Sequence, residues 1–398
     1  MQFGIKKTRL VKALFLTLVL CSILVGCARS PSRGWSGPTV SEGILYVGSI
    51  KGNVLALEDI YTDNPKEKAT FTLESQATPL TCAPQISKAM SIYGTPAVAN
   101  GLVYVGDYNG NVYAFDATVS GETSWKYKFE TGGAIVGSPV VAGDTVYIGS
   151  TDGKLYALPL DLREPKWTFP TKDKIWSTPV VEGNVVYIGS SDHNLYAIDA
   201  ESGKGIWKLE TEGAIASTPL VDNGTVYIGS FDSKFYAVDV ATEEEKLAAA
   251  AREEGAPIPI RPAKWVFEEA GNWFWTQALA YNGEIWVGCL DHKVYAVNAE
   301  NPDVFWVYDE PQGAIHTPPV LVKELIVIGS QDGNVYIIDP INKKRVGEPI
   351  TLGAPILAPL CSDTEKGVVY VHAQDGNHIL YAIEVTTGRT LWEFKTSG

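Results

Sequence analysis

Residues 178–207 read TPVVEGNVVYIGSSDHNLYAIDAESGKGIW, and this stretch decides the fold. Its apolar residues form alternating or β-branched runs of four to six residues, a spacing that favours strands over helices. Residues typical of turns, such as Gly183 and Gly203, separate the runs. The stretch therefore predicts four short antiparallel strands, which we name A to D in chain order, with Trp207 in strand D.

The same pattern recurs along the whole chain. Eight copies align on the residue before strand A, which is Pro38, Pro96, Pro139, Pro179, Pro219, Ala278, Pro319 and Pro359. The spacings are 40 to 43 residues, except for two of 58 and 59 residues that indicate insertions. Four strands repeated eight times predict an all-β, eight-bladed β-propeller over residues 36–398. We assign the insertions to residues 59–70, 75–91 and 241–264.

The insertion at residues 241–264 predicts a short acidic helix on the surface. Thr242 and Glu245 have the spacing of a capping box. Residues 246–252, KLAAAAR, are strong helix formers, and Gly255 is suited to end the helix. Decoration of the surface is the favoured interpretation, and contact with a partner is the alternative.

The N-terminal segment predicts export and lipid anchoring. Residues 1–26 combine a basic start with a short apolar run, as a signal peptide does. The sequence Leu24-Val25-Gly26-Cys27 resembles the lipobox of bacterial lipoproteins. That resemblance implies cleavage before Cys27, acylation of its thiol, and a short tether at residues 27–35. The expected location is the cell envelope: the outer membrane facing the periplasm if the host has two membranes, and otherwise the cell surface.

Charge and cysteine content limit the partners and the stabilising bonds. The formal net charge is −14, and removal of four basic residues with the signal peptide leaves −18. Such a charge argues against nucleic acid and against a bare anionic membrane as partners. Beyond Cys27 the mature chain has Cys82, Cys289 and Cys361, which allow at most one disulfide. Stability is therefore expected to come from burial.

The C–D segment of the fourth copy points to a family. The stretch from Ala197 to Trp207 resembles the tryptophan-docking motif of PQQ-type propeller repeats, in which the indole stacks on the neighbouring blade. Phe71 stands for the tryptophan in the first copy, and the seventh copy has no aromatic residue near Val346. The predicted structural docking tryptophans are Trp125, Trp167, Trp207, Trp265, Trp306 and Trp392.

Connections D–A and B–C are expected on one face of the propeller, which we call the upper face, and connections A–B and C–D on the lower face. The acidic residues predicted in upper-face B–C turns are Asp152, Asp192, Asp232, Asp291, Asp332 and Asp375. All five histidines also map near this face. We predict no metal site, because His193 and His292 occupy the same turn position two blades apart. We predict no catalytic residue, because a Ser-His-Asp signature and a glycine-rich phosphate loop are both missing from the sequence.

A second repeated position lies three residues before the strand-A proline. It holds five aromatic or histidine residues, Trp35, Tyr93, Trp176, Trp275 and His316, together with Val136, Ala216 and Ile356. Eightfold repetition predicts a ring at the upper mouth of the central channel. Packing between blades is the favoured role, and recognition of a peptide or a small ligand is the alternative.

Two functional classes follow from these residues and resemblances. Size, lipobox and plain repeats resemble the propeller lipoproteins of the outer-membrane β-barrel assembly machine, which implies a non-enzymatic, monomeric scaffold that binds envelope proteins through its upper face without a cofactor. The alternative is a PQQ-dependent quinoprotein dehydrogenase with calcium, or a propeller that binds a small ligand. Such dehydrogenases commonly carry an adjacent-cysteine disulfide, which this sequence lacks. The tether of residues 28–35 spans at most about 27 Å, which predicts an upper face close to the membrane.

Overall fold

The computed structural model describes residues 36–49, 52–73, 91–123, 125–253, 255–373 and 379–395. It confirms the eight-bladed β-propeller: each blade is an antiparallel sheet whose strands A to D follow chain order from the central channel outward. Strand A has three residues in every blade, because the blades converge on the channel.

The first four blades occupy residues 39–210. Blade 1 contains β1 (Thr39–Ser41), β2 (Ile44–Gly48), β3 (Asn53–Glu58) and β4 (Lys66–Thr72), and blade 2 contains β5 (Ala97–Ala99), β6 (Leu102–Gly106), β7 (Asn111–Asp116) and β9 (Tyr127–Glu130). Blade 3 contains β10 (Val140–Ala142), β11 (Thr145–Gly149), β12 (Lys154–Pro159) and β13 (Trp167–Pro170), and blade 4 contains β14 (Val180–Glu182), β15 (Val185–Gly189), β16 (Asn194–Asp199) and β17 (Gly205–Glu210).

The last four blades occupy residues 220–395. Blade 5 contains β18 (Leu220–Asp222), β19 (Thr225–Gly229), β20 (Phe235–Asp239) and β21 (Trp265–Phe267), and blade 6 contains β22 (Leu279–Tyr281), β23 (Glu284–Gly288), β24 (Val294–Asn298) and β25 (Phe305–Tyr308). Blade 7 contains β26 (Val320–Val322), β27 (Leu325–Gly329), β28 (Asn334–Asp339) and a split outer strand, β29 (Lys344–Arg345) and β30 (Ile350–Thr351); blade 8 contains β31 (Cys361–Asp363), β32 (Val368–Ala373), β33 (Ile379–Glu384) and β34 (Arg389–Lys395).

Consecutive blades interlock at the glycine that ends strand B. A Cβ atom on Gly189 would lie 2.2 Å from Cγ2 of Ile215, which comes from the connection leading into the next blade. The same contact joins Gly149 to Ile175, and Phe274 replaces the isoleucine against Gly229. Because no larger residue fits there, the repeated Tyr-Ile-Gly-Ser sequence is a packing requirement between blades.

Most of the predicted docking tryptophans pack where one blade meets the C–D connection of the next. The indole Nε1 of Trp167 donates a hydrogen bond to the Ala200 carbonyl at 3.0 Å. Trp265 reaches Ala299 in the same way at 2.9 Å. Trp207 is 2% exposed and has the Arg261 guanidinium over its ring at 5.0 Å, and Lys343 of blade 7 lies over Trp306 at 5.6 Å.

Two details of this tryptophan pattern were predicted wrongly. The docking position is the partner of the strand-C alanine, as Trp207 is of Ala197. In blade 2 that partner is Tyr127, so Trp125 lies two residues too early and packs against Tyr113 instead. In blade 1 the partner of the strand-C alanine, Ala56, is Ala69. Phe71 lies two residues later and pairs with Val54. In blades 1 and 2 the partner lies 13 residues after the strand-C alanine, against 10 residues in blade 4, so the longer C–D turn shifts the register by an amount that spacing alone does not reveal.

Blades 1 and 8 close the ring without exchanging a strand. Each is built from one continuous stretch of chain, and their contact consists of a shared apolar cluster and a few hydrogen bonds. The Trp392 Nε1 donates to the Ile60 carbonyl at 2.8 Å, and the ring of His372 contacts the Ser36 carbonyl at 2.9 Å. In the described part of the chain, side-chain packing therefore closes the ring.

Two of the longer connections cover the outer edge of the preceding blade. In blade 2, β8 (Gly121–Thr123) pairs in parallel with β4 of blade 1. In blade 5, Ile260 forms a parallel bridge to Lys208 in the outer strand of blade 4. Exposed strand edges are sites of unwanted pairing, so these segments protect two of them.

The segment 241–264 also carries helix α1 (Glu243–Ala250), whose N-cap Thr242 forms a capping box with Glu245. Lys204 donates to the Ala250 carbonyl near the end of the helix at 2.6 Å, and Arg252 donates to the Gly205 carbonyl at 2.6 Å. The segment is thus fastened to blade 4. Among the described residues, no helix has the length and apolar character to cross a membrane.

The structure contradicts the insertion assigned to residues 59–70 and describes almost none of the one assigned to residues 75–91. Residues 59–70 are not an insertion beyond the blade, because a short loop leads directly into the outer strand β4 (Lys66–Thr72). Except for Ser91, the segment 75–91 lies outside the described residues.

We expect the contact between blades 1 and 8 to depend strongly on Trp392, which is 5% exposed. Trp392→Ala should lower the free energy of unfolding by about 3–5 kcal/mol, because it removes a large buried ring. Trp392→Phe keeps most of the apolar surface and loses the Nε1 bond, so it should cost about 1 kcal/mol. Urea-induced unfolding measures both values, and equal losses in the two variants would contradict this account.

Candidate functional site

Backbone contacts place the connections on the faces expected for them. The Ile175 N–H in a D–A connection donates to the Ser150 carbonyl in a B–C turn at 3.1 Å. On the opposite side, the Ala200 N–H in a C–D connection donates to the Asn184 carbonyl in an A–B turn at 3.0 Å. The residues of the candidate site all lie on the first of these sides, the upper face.

The acidic turns of the upper face are internal fasteners. In five blades one carboxylate oxygen of the turn aspartate accepts a hydrogen bond from the hydroxyl of the tyrosine four residues later: Asp152–Tyr156 at 2.5 Å, Asp192–Tyr196 at 2.8 Å, Asp232–Tyr236 at 2.7 Å, Asp291–Tyr295 at 2.6 Å and Asp332–Tyr336 at 2.9 Å. The same oxygen accepts a backbone N–H from the connection entering the blade, at 2.7–3.0 Å. The other oxygen accepts the N–H two residues later. Because both oxygens already have donors, these carboxylates are poorly placed to bind a partner; Asp375 lies outside the described residues.

The pKa values of Tyr336 and Asp332 agree with a fastening role. Burial, and then the bond to Asp332, raise the pKa of Tyr336 to about 12. Burial acts to raise the pKa of Asp332, but the hydrogen bonds from Gln312 and Tyr336 outweigh it and hold that pKa below 3.8. A carboxyl whose folded pKa lies below its unfolded value stabilises the fold above the unfolded value, and that stabilisation is lost as pH falls through the folded pKa. The fastener therefore works fully at neutral pH.

Four of the five ring residues line one cavity at the upper mouth of the channel. Tyr93, Trp176, Trp275 and His316 surround a volume of about 210 Å³. The Trp176 and Trp275 ring centroids lie 6.0 Å apart, although the two residues belong to connections two blades apart. Ala216 is the ring residue between them, and its small side chain is compatible with this close approach.

Two other residues that were assigned to the ring, Trp35 and Ile356, do not line this cavity in the described structure. Trp35 lies outside the described residues. Ile356 is not a ring residue: it packs on Gly329 in the core between blades 7 and 8, and Leu357 lines the cavity instead. Pro359 follows its packed isoleucine, Ile356, by three residues, whereas Pro219 follows Ile215 by four, so the ring residue of the eighth copy is not the one three residues before the proline.

Two further aromatic residues, which the repeated ring position does not include, extend the cavity wall outward. Phe231 stacks on Trp275 with centroids 5.4 Å apart and rings at 19°. Trp273 also stacks on Phe231, with centroids 4.6 Å apart and rings at 11°, and is 45% exposed. We call these three stacked rings, Trp273, Phe231 and Trp275, the aromatic ladder.

Comparison of equivalent positions in the repeats could have revealed both residues. The position of Trp273 holds alanine in three other copies: Ala134, Ala214 and Ala314. The position of Phe231 holds a polar residue in three other copies: Thr151, Ser191 and Gln331. At the position of Phe231, blade 2 holds Tyr108 and blade 6 holds Leu290, so a large side chain recurs there, whereas no other copy holds an aromatic residue at the position of Trp273. The stacked pair of Phe231 and Trp273 is therefore particular to the junction between blades 5 and 6.

His316 belongs to the cavity wall and meets Trp275 edge-on, with centroids 6.4 Å apart. Burial lowers its pKa below 6.5, although a hydrogen bond with Gln331 acts in the opposite direction. The imidazole is therefore mainly neutral at pH 7.

The remaining histidines and cysteines form no reactive cluster in the part of the chain that the structure describes. His193 and His292 are exposed residues in separate B–C turns. Cys289 and Cys361 are free thiols, and burial raises the pKa of both, that of Cys361 to about 11. No group of three His, Cys, Asp or Glu residues there could hold a metal ion. Cys27, Cys82 and His378 lie outside the described residues.

The cavity does not fit PQQ with calcium. The cofactor carries three carboxyl groups, and calcium prefers carboxylate and carbonyl oxygens. The described lining consists of aromatic, aliphatic, hydroxyl and amide groups together with His316, and it includes no aspartate, glutamate, lysine or arginine. These groups suit an uncharged, aromatic binding surface.

The fold and the site together define a class: a PQQ-repeat propeller with an aromatic channel mouth. The family model described as "Outer membrane protein assembly factor BamB" (PQQ_2) matches residues 28–161 and 75–284, more than half of the chain. The chain belongs to this family.

Curated relatives match over a limited stretch. Outer membrane protein assembly factor BamB of Yersinia pestis is 34% identical over 94 residues, and that of Escherichia coli (strain K12) is 32% identical over 94 residues. Each match covers 24% of this chain and 22% of the relative, so it spans about a fifth of the relatives' length.

Solved structures match over most of the chain. The crystal structure of BamB from Moraxella catarrhalis superimposes with a TM-score of 0.66 at 16% identity, covering 86% of this chain and 92% of that one. The computationally designed Ika8 protein gives a TM-score of 0.66 at 14% identity, covering 88% of this chain and 96% of that one. At these identities the likeness concerns the fold alone.

The aspartate–tyrosine fastener can be tested by removing one hydroxyl. Tyr196→Phe should lower the free energy of unfolding by about 1–2 kcal/mol, because the 5% exposed Tyr196 loses its bond to a charged acceptor. Tyr61→Phe is the matched control: its hydroxyl also bonds an aspartate, Asp363, but the side chain is 51% exposed. That change should stay within about 0.5 kcal/mol. Thermal unfolding of the two variants compares them, and similar losses would argue against the fastener.

Proposed function

We propose that this protein is a non-enzymatic scaffold that works in outer-membrane protein assembly, anchored to the membrane through a lipid on Cys27. Its partners are other envelope proteins, which it binds through the upper face. The assembly role rests on membership of a family named for that activity. The anchor rests on the lipobox-like sequence before Cys27.

The aromatic ladder on the upper face, in which Trp273 is 45% exposed, carries the proposal. Large aromatic side chains dominate the binding energy of protein interfaces. Trp273 and Phe231 are held on a rigid ring of blades, so little conformational entropy is lost when a partner covers them. The cavity beside them has no charged side chain among its described lining residues, which favours binding over chemistry.

A genetic complementation experiment tests the assembly role. Deletion of the gene should lower the amount of β-barrel proteins in the outer membrane of the host, and the intact gene should restore it. Phe231→Ser/Trp273→Ala should restore it less well, because losing the ladder should weaken partner binding by at least about tenfold. Phe305→Ser alters an exposed ring on the outer strand of blade 6 and serves as the control. Unchanged β-barrel levels in the deletion strain would refute the assembly role.

The short tether gives a second prediction, that the upper face lies close to the membrane. Lys172→Cys on the upper face and Glu182→Cys on the lower face replace exposed side chains. In native membranes a bulky, membrane-impermeant maleimide should label Cys at position 172 more slowly than at position 182. In detergent-solubilised protein the two rates should converge. Slower labelling at 182 in membranes would reverse the proposed orientation.

A further inference from the structure

We infer that the aromatic ladder and the adjoining channel mouth form a binding site for an arginine side chain, presented by an extended basic segment of a partner protein. The inference deepens the proposed scaffold function and rests on it, because it names the chemistry that the upper face recognises.

The first argument concerns what the fold does not need. Trp273 stands where three other copies hold alanine, Phe231 stands where three other copies hold a polar residue, and the two rings stack on each other. Keeping a large aromatic ring 45% exposed offers little to stability. Two such replacements in adjacent loops, in direct contact, indicate a surface that serves a ligand.

The second argument concerns ring geometry. The faces of the ladder rings are nearly parallel, at 11° and 19°, and the stack runs from the exposed Trp273 to Trp275 in the cavity wall. The faces of aromatic rings carry negative electrostatic potential, so they attract cations. A guanidinium group is planar and weakly hydrated, and it stacks on such faces better than an ammonium group does.

The third argument concerns charge. The turns and connections that carry the ladder hold five carboxylates and two ammonium groups, a net charge of −3: Glu212, Asp232, Glu268, Glu269 and Asp291, against Lys234 and Lys293. Lys234 is already paired with Glu212 at 3.3 Å and Glu268 at 2.9 Å. An approaching arginine therefore meets negative potential and little competition from neighbouring cations.

The fourth argument concerns size. A cavity of about 210 Å³ holds one long side chain and excludes a folded domain. Its hydroxyl and amide groups, including Gln277, and the neutral His316 offer acceptors to guanidinium N–H groups without a positive charge nearby. A segment in extended conformation can place one arginine here and run its backbone across the upper face.

The test uses the full-length protein in detergent and two synthetic peptides, acetylated and amidated. One is Gly-Arg-Gly-Arg-Gly, and the other has both arginines replaced by citrulline, a neutral isostere. Calorimetric titration should give saturable binding of the arginine peptide at millimolar concentration or below, and at least about tenfold weaker binding of the citrulline peptide. Raising the salt from about 0.05 to 0.5 M should weaken the arginine complex.

The variants assign the binding to the ladder. Phe231→Ser/Trp273→Ala introduces residues that other copies hold at these positions, so the blades should remain folded, as circular dichroism can verify. It should weaken arginine-peptide binding at least about tenfold, whereas Phe305→Ser should leave it unchanged.

Three results would overturn the inference: no saturable binding of the arginine peptide up to about 10 mM, equal binding of the citrulline peptide, or unchanged binding by Phe231→Ser/Trp273→Ala. These results are independent of the deletion phenotype. Normal complementation with failed peptide binding removes only the arginine site, while peptide binding without a deletion phenotype removes only the assembly role.

Discussion

The contact on which the rest of the structure depends is the one between a strand-B glycine and the isoleucine of the following connection. At Gly189 there is no room for a Cβ atom, because Cγ2 of Ile215 would lie 2.2 Å from it. This contact fixes the position of the connection, and the residue after the isoleucine then lines the channel, as Ala216 does. The same interaction therefore holds blades together and decides which side chains form the channel mouth.

The sequence was sufficient to predict the blades but not every position within them. Strand periodicity, turn residues and the spacing of prolines determine the number and order of the strands. The ring residue of the eighth copy was misassigned because it was counted from Pro359, whereas the isoleucine is the residue that packing holds in place. Trp125 was misassigned for a related reason, since the register of an outer strand depends on a turn whose length varies.

The site was predicted only in part, because its role depends on contacts between distant residues. Tyr93, Trp176, Trp275 and His316 share one repeat position, so periodicity could bring them together. Phe231 and Trp273 occupy different positions in different loops, and only their stacking at 4.6 Å makes them one surface. For the turn aspartates, the sequence predicted an acidic surface open to partners. In the structure, their carboxylate oxygens instead accept hydrogen bonds from tyrosine hydroxyls and backbone N–H groups.

The closure of the ring by side chains has a consequence for how such a protein can change over generations. Since blades 1 and 8 share no strand, strands A to D of every blade come from one continuous stretch of the chain. A duplicated or exchanged segment would then bring a whole blade with its own hydrogen-bonded sheet. A connection within one blade can also lengthen, as residues 241–264 lengthen the C–D connection of blade 5, without a change in the strand order of its neighbours.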